Sequence, residues 1–194
     1  KVIKGPGIIV NIKKTKKNTE PKILLVSQCP SRYVRQDMSA LFSYTSQIYK
    51  KNVFNFLSSI DPKLLDIFYL RNKRILDDKS RQEDIRNFTD DLLNSFPKIR
   101  VSGQNLDIKS DLNSSELVIF FFTQTSFAES LAYNRPTINV FSHKDFLITD
   151  MAKPYYEDSK KNKIIFESSF EASKFILENY KNLNGWWNDE KTQR

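Results

Sequence analysis

Residues Ser114 to Phe141, SSELVIFFFTQTSFAESLAYNRPTINVF, constrain the fold more than any other stretch, because they read as strand, polar turn, short helix, turn and strand. Leu117 to Phe122 is an unbroken apolar run of strand length, the pattern of a parallel strand covered on both faces. Thr123-Gln124-Thr125-Ser126 then places hydroxyls and backbone N–H groups where a helix beginning near Phe127 presents its positive end. That is a setting for phosphate. Glu129 lies about one helical turn further on, near enough for its carboxylate to accept hydrogen bonds from ribose hydroxyls. The same residue types also serve plain structural ends, Thr and Ser as N-caps and Glu as complement to the helix dipole, and the pattern leaves both readings open.

Around this block, strands and helices alternate. Gly7 to Ile12 reads as a short strand and Lys13 to Lys22 as a charged loop, before a strand at Ile23 to Ser27 and a loop from Gln28 to Asp37 holding Pro30, Arg32 and Arg35. A helix is predicted over Ser46 to Ser59 with Ile48, Phe54 and Leu57 facing inward, and Asp61-Pro62 turns the chain out of it. Leu65 to Leu70 is the next strand. Ile85, Phe88, Leu92 and Phe96 mark one face of a helix ended by Pro97, and Ile99 to Ser102 makes an edge-like strand. Beyond the central block come a strand at Ile164 to Phe166 and a helix opened by a capping box, Ser168 with Glu171, that carries Ala172, Phe175, Ile176 and Tyr180. The alternation implies an α/β, Rossmann-like three-layer domain with a mainly parallel sheet, whose ligands bind beyond the carboxyl ends of the strands.

Three carboxyl-end loops therefore matter. Arg71-Asn72-Lys73-Arg74 is the strongest basic element, since a guanidinium can fork two phosphate oxygens while Lys adds a point charge; a solvated charge run is the alternative. Thr123, Thr125, Ser126 and Glu129 join Arg71 as the principal nucleotide and phosphate candidates, with Ser27, Arg32, Lys73 and Arg74 as secondary phosphate contacts. The chain has only four glycines and neither a GxGxxG nor a Walker pattern, so phosphate contacts must come from a helix N-terminus and side chains. No Ser-His-Asp or Cys-His pairing is visible, and one histidine, His143, with one cysteine, Cys29, leaves too few ligands of the usual kind for zinc. No catalytic residue, metal or cofactor is assigned.

Composition excludes other classes. At 194 residues with 39% hydrophobic and 13% aromatic content, the chain can bury a substantial core. No apolar run approaches the roughly 20 residues needed to span a bilayer, and the N-terminus lacks a secretory pattern. The lone cysteine suits a reducing cytoplasm. A net charge of +8 attracts phosphates, but the basic residues are dispersed, and the Lys13-Lys14-Thr15-Lys16-Lys17 cluster has no interleaved aromatics, which argues against nucleic acid. That cluster is suited to anionic headgroups at the inner face of a membrane.

The pattern SSELVIFFFTQTSFAESLAYNRPTI is similar to the strand–helix–strand of the C-terminal, nucleotide-sugar-binding half of GT-B type glycosyltransferases. SQCPSRY at Ser27 to Tyr33, IFYLR at Ile67 to Arg71, AKPYY at Ala152 to Tyr156, IIFESS at Ile164 to Ser169 and Gly185-Trp186-Trp187-Asn188 extend it to most of residues 22–191. Their order resembles that of a family of bacterial transferases linked to surface-polysaccharide genes. The resemblance implies a nucleotide-sugar donor, a glycan acceptor, and a preceding N-terminal GT-B domain that this chain lacks; a glycerophosphotransferase-like polymerase or a non-catalytic nucleotide- or glycan-binding module is the alternative. By the same analogy Arg71, Thr125 and Ser126 neutralise the leaving phosphate and Glu129 holds the ribose, while the base comes from the other half. The implied division is a strand and basic linker over residues 1–22, the nucleotide-sugar domain over 23–183 and a Trp-containing tail over 184–194. Trp186 and Trp187 are expected either to pin that tail on the body or, where the other half is absent, to stand exposed as its contact surface. Gly185 is read as the end of the preceding helix.

Overall fold

A computed structural model describes residues 22–27, 43–72, 79–102, 108–142, 144 and 148–193. The strands are β1 (Ile23–Ser27), β2 (Phe68–Asn72), β3 (Arg100–Val101), β4 (Leu117–Phe120), β5 (Thr137–Val140) and β6 (Ile165–Phe166). All pairings are parallel, and the order across the sheet is β3-β2-β1-β4-β5-β6. Between them run α1 (Ser43–Ser58), α2 (Lys79–Ser95), α3 (Ile108–Ser114), α4 (Thr125–Ala132) and α5 (Lys153–Lys161), followed after β6 by α6 (Ser169–Asn179), α7 (Leu183–Trp187) and α8 (Glu190–Gln193). This is a three-layer, Rossmann-like α/β fold.

Alternation along each strand decides what each face packs against. Ile23, Leu25, Phe68, Leu70, Leu117, Ile119, Ile138 and Val140 turn to one face, where Tyr49, Val53 and Phe56 of α1, Phe88 and Leu92 of α2 and Ala172 and Ile176 of α6 close the larger core. Leu24, Val26, Val118 and Phe120 turn to the other, beneath Leu112 of α3 and Phe127 and Tyr133 of the α4 segment. The two central strands are buried on both faces, as the continuous apolar runs predict. Each fully buried Leu, Ile or Phe contributes about 1.5–3 kcal/mol.

Several boundaries differ from those the sequence suggests. β4 ends at Phe120 rather than Phe122; Phe121, on the same face as Leu117 and Ile119, packs its ring 5.4 Å from Phe56 and 6.3 Å from Tyr49. Leu65 to Ile67 is a 3-10 turn ahead of β2, not its first half. α1 buries Tyr49, Val53, Phe56 and Leu57, so Ile48 and Phe54, the other two positions expected to face inward, are only half-buried. Pro97 does follow the end of α2, and Ser168 caps α6 by accepting from the Glu171 N–H. The predicted strand at Gly7 to Ile12 lies outside the described residues.

The tail is pinned, and the expectation of exposed tryptophans is corrected. Trp187 is buried and its Nε1 donates to Asn134 Oδ1 at 2.9 Å; half-buried Trp186 donates to the Asn162 carbonyl at 3.1 Å and packs 5.0 Å from Phe175. Asn134 and Asn162 precede β5 and β6, which puts α7 at the amino edge of the sheet, opposite the strand ends that face a ligand. Gly185 lies inside α7 instead of ending a helix: a Cβ there would come within 2.4 Å of Asn182 Oδ1.

Candidate functional site

In this strand order the connections leave β1 toward β2 and β3, then return to β4 on its other side. The reversal opens a crevice beyond the carboxyl ends of β1 and β4. The loop after β1 lies outside the described residues; the one after β4 is the predicted Thr123 to Ser126 turn.

That turn is not capped. α4 begins at Thr125, so Thr125 and Ser126 occupy its first two positions and Gln124, extended at φ −145° and ψ 170°, is the N-cap. Gln124 makes no side-chain cap bond, and no acidic residue stands in the first turn. Both plain structural readings of these residues therefore fail: the hydroxyls are not N-caps and Glu129 lies past the dipole's reach. The earliest bonds into Gln124 O come from Phe127 N at 2.9 Å and Ala128 N at 3.4 Å. The N–H groups of Thr125 and Ser126 precede them and point out of the helix end. Thr123 and Thr125 are exposed, while Ser126 and Glu129 are half-buried along the same turn. Such a cluster of donors at a positive helix end can hold an anion, and a carboxylate one turn on can accept from a diol.

Packing fixes the turn from below. Phe127 meets Phe120 edge-on at 5.6 Å, and Ser130 Oγ lies 2.6 Å from Thr137 Oγ1. Asn139 of β5, fully buried, donates from Nδ2 to Thr123 Oγ1 at 3.3 Å.

Arg71 goes elsewhere. It shares a sheet face with Tyr69, and its guanidinium donates to Asp111 Oδ2 on α3. Lys22 Nζ meets Asp111 Oδ1 at 2.9 Å and Ser102 Oγ donates to the same oxygen at 2.5 Å. Lys22, Arg71 and Asp111 have side-chain exposures of 14, 12 and 10%, which makes this a buried ion cluster. Burial pushes the Asp111 carboxyl up, but hydrogen bonds from Ser102, Lys22 and Arg71, with the Lys22 charge, outweigh it and hold the group below its ordinary value of 3.8. Ser27 is likewise buried, its hydroxyl accepting from Tyr49 Oη at 3.2 Å under α1. The structure thus gathers Thr123, Thr125, Ser126 and Glu129 on one turn and sets Arg71 and Ser27 in separate polar contacts. Arg32, Lys73 and Arg74, with Cys29, His143 and the Lys13 to Lys17 cluster, lie outside the described residues.

A model of the LIC12162 family transferases matches residues 1–194, the entire sequence. The chain belongs to the LIC12162 transferase family. No curated protein and no solved structure matches it significantly. Among the described residues, no helix of this transferase is long and apolar enough to cross a membrane.

Asn139 and the partners of Arg71 are not among the candidates that the sequence offers. Asn139 had a signal, a single amide inside the otherwise apolar-and-Thr strand TINV. Asp111 had none, because α3 is short and its sequence IKSDLNS carries no helical period of apolar residues.

Proposed function

We propose that this LIC12162 family transferase binds a nucleotide sugar at the turn between β4 and α4. It is the donor half of a glycosyltransferase acting in bacterial surface polysaccharide or glycan synthesis. The observation that carries this reading is the uncapped N-terminus of α4, set at the reversal of strand order with two hydroxyl-bearing residues in its first turn.

Thr123, Thr125 and Ser126 take the phosphate oxygens through hydroxyls and backbone N–H groups, and Glu129 accepts from the ribose hydroxyls. Lys73 and Arg74, basic residues that follow Arg71 in the sequence, add positive charge that attracts the phosphates. As the bond from the sugar's anomeric carbon to the phosphate oxygen breaks, negative charge collects on the departing nucleotide. Donors already aimed at that oxygen stabilise it without reorganising. The acceptor hydroxyl attacks the anomeric carbon and loses its proton to a base on the acceptor side, the part supplied by the other half in GT-B type enzymes. The basic residues Lys13 to Lys17 suit a peripheral seat on anionic membrane, close to a glycan acceptor.

A thermal-shift screen against CMP, CDP, UDP, GDP and their sugars tests the proposal. A ligand at one hundred times its Kd adds about 2.7 kcal/mol to stability and raises Tm visibly. No shift with any of them at millimolar concentration, in a folded protein, contradicts it.

A further inference from the structure

Asn139 lies on β5 opposite Phe120, the last residue of β4, directly under the turn. It is fully buried, and its Oδ1 has no hydrogen-bond partner. Its neighbours Ile138 and Val140 fill the opposite face as apolar residues, and an apolar side chain at 139 would leave no polar atom unmet. A buried amide kept half-satisfied needs a reason, and its one bond points to Thr123.

We infer that Asn139 is a positioning residue that fixes Thr123 as a hydrogen-bond donor to the bound anion. A threonine hydroxyl has one proton and two lone pairs. By accepting from Asn139 Nδ2, Thr123 Oγ1 spends a lone pair inward and keeps its proton for the exposed side, where the crevice lies. Together with the N–H groups of Thr125 and Ser126, the turn then offers three donors, which selects an anion. The nearby Ser130 and Thr137 pair shows the contrast. Thr137 donates to the Arg135 carbonyl at 2.7 Å, so Ser130 must donate to Thr137 and neither proton faces outward.

The inference rests on the proposed nucleotide site, and calorimetry separates the two. The probes are inorganic pyrophosphate and whichever of CDP, UDP and GDP gives the largest rise in Tm. Thr123→Val, at an exposed position, should bind both about tenfold more weakly than wild type, and Thr123→Ser should restore binding. Asn139→Leu should lose as much as Thr123→Val, and the double variant should be no weaker than either, because Asn139 acts through the hydroxyl. Asn139→Asp, of the same shape and, once ionised at about pH 8, able only to accept, turns the Thr123 proton inward and serves if the leucine variant does not fold. Adding Thr123→Val to it should cause no further loss. Wild-type protein that binds no probe overturns the nucleotide reading and this inference together. Wild-type binding that survives Thr123→Val undiminished, or losses that add in the double variant, overturns this inference alone.

Discussion

Two polar regions beside the sheet, the Asp111 cluster and the turn ahead of α4, differ in what their groups have left to offer. Around Asp111, the charges of Lys22, Arg71 and the carboxylate are buried and answered by one another, with Ser102 completing the cluster. Around Thr123, no formal charge stands in the first turn of α4, yet the helix end is uncapped and its polar side chains are exposed or half-exposed. Charge density alone would favour the first region as a phosphate site. In that region, however, the cations and the carboxylate already answer one another, whereas the end of α4, where we propose the ligand binds, has no side-chain cap.

Breaking the buried cluster should give the largest effect. Asp111→Ala leaves two buried cations facing each other, and the loss of one partner from such a pair costs about 3–5 kcal/mol. Urea unfolding measures it. The same substitution should leave the Kd of a bound nucleotide within about threefold if the two regions act independently.

Acid gives a second way to open that cluster. Because the Asp111 carboxyl is held below 3.8 in the folded protein, the unfolded chain binds its proton more tightly. Its contribution is complete above the unfolded value and is lost as pH falls through the folded one. Stability of wild type should therefore drop more steeply below about pH 4 than that of Asp111→Asn, followed by Tm against pH.

Glu129→Ala acts on the other region. It should weaken nucleoside diphosphates by about 1.5–3 kcal/mol, the worth of hydrogen bonds to a charged acceptor, while inorganic pyrophosphate binds as before. Equal loss for both ligands would place Glu129 away from the ribose.

The smallest effect is the most discriminating. α6 is capped by Ser168 and α4 by nothing, so a cap can be added where the anion is proposed to sit. Gln124→Asp should raise stability by about 0.5–1 kcal/mol, as a good N-cap does, and should weaken nucleotide binding because its carboxylate occupies the same N–H groups. Ser168→Ala should lower stability by about 1 kcal/mol with no effect on binding.

Much of the fold was legible because it rests on period and length. The apolar runs at Ile23 and Leu117 predict central strands, and the spacing of Phe88, Leu92 and Phe96 predicts the buried face of α2. Short elements held by tertiary contacts were not legible: α3 is fixed by Asp111 and Leu112, and α7 by indole hydrogen bonds to Asn134 and Asn162. The same division runs through the site. Thr123 to Glu129 could be read from one local segment, whereas the commitment of Arg71 to Asp111, 40 residues away, and of Thr123 to Asn139 depends on which strands and helices become neighbours.

A nucleotide proposed to sit at the open end of α4 can be located by backbone amide NMR during titration of the protein with CDP, UDP or GDP. The Thr125 and Ser126 amide resonances should move saturably, with those of Lys22, Arg71 and Asp111 unchanged. Binding that moves the Asp111 cluster and leaves Thr125 and Ser126 in place would place the nucleotide elsewhere.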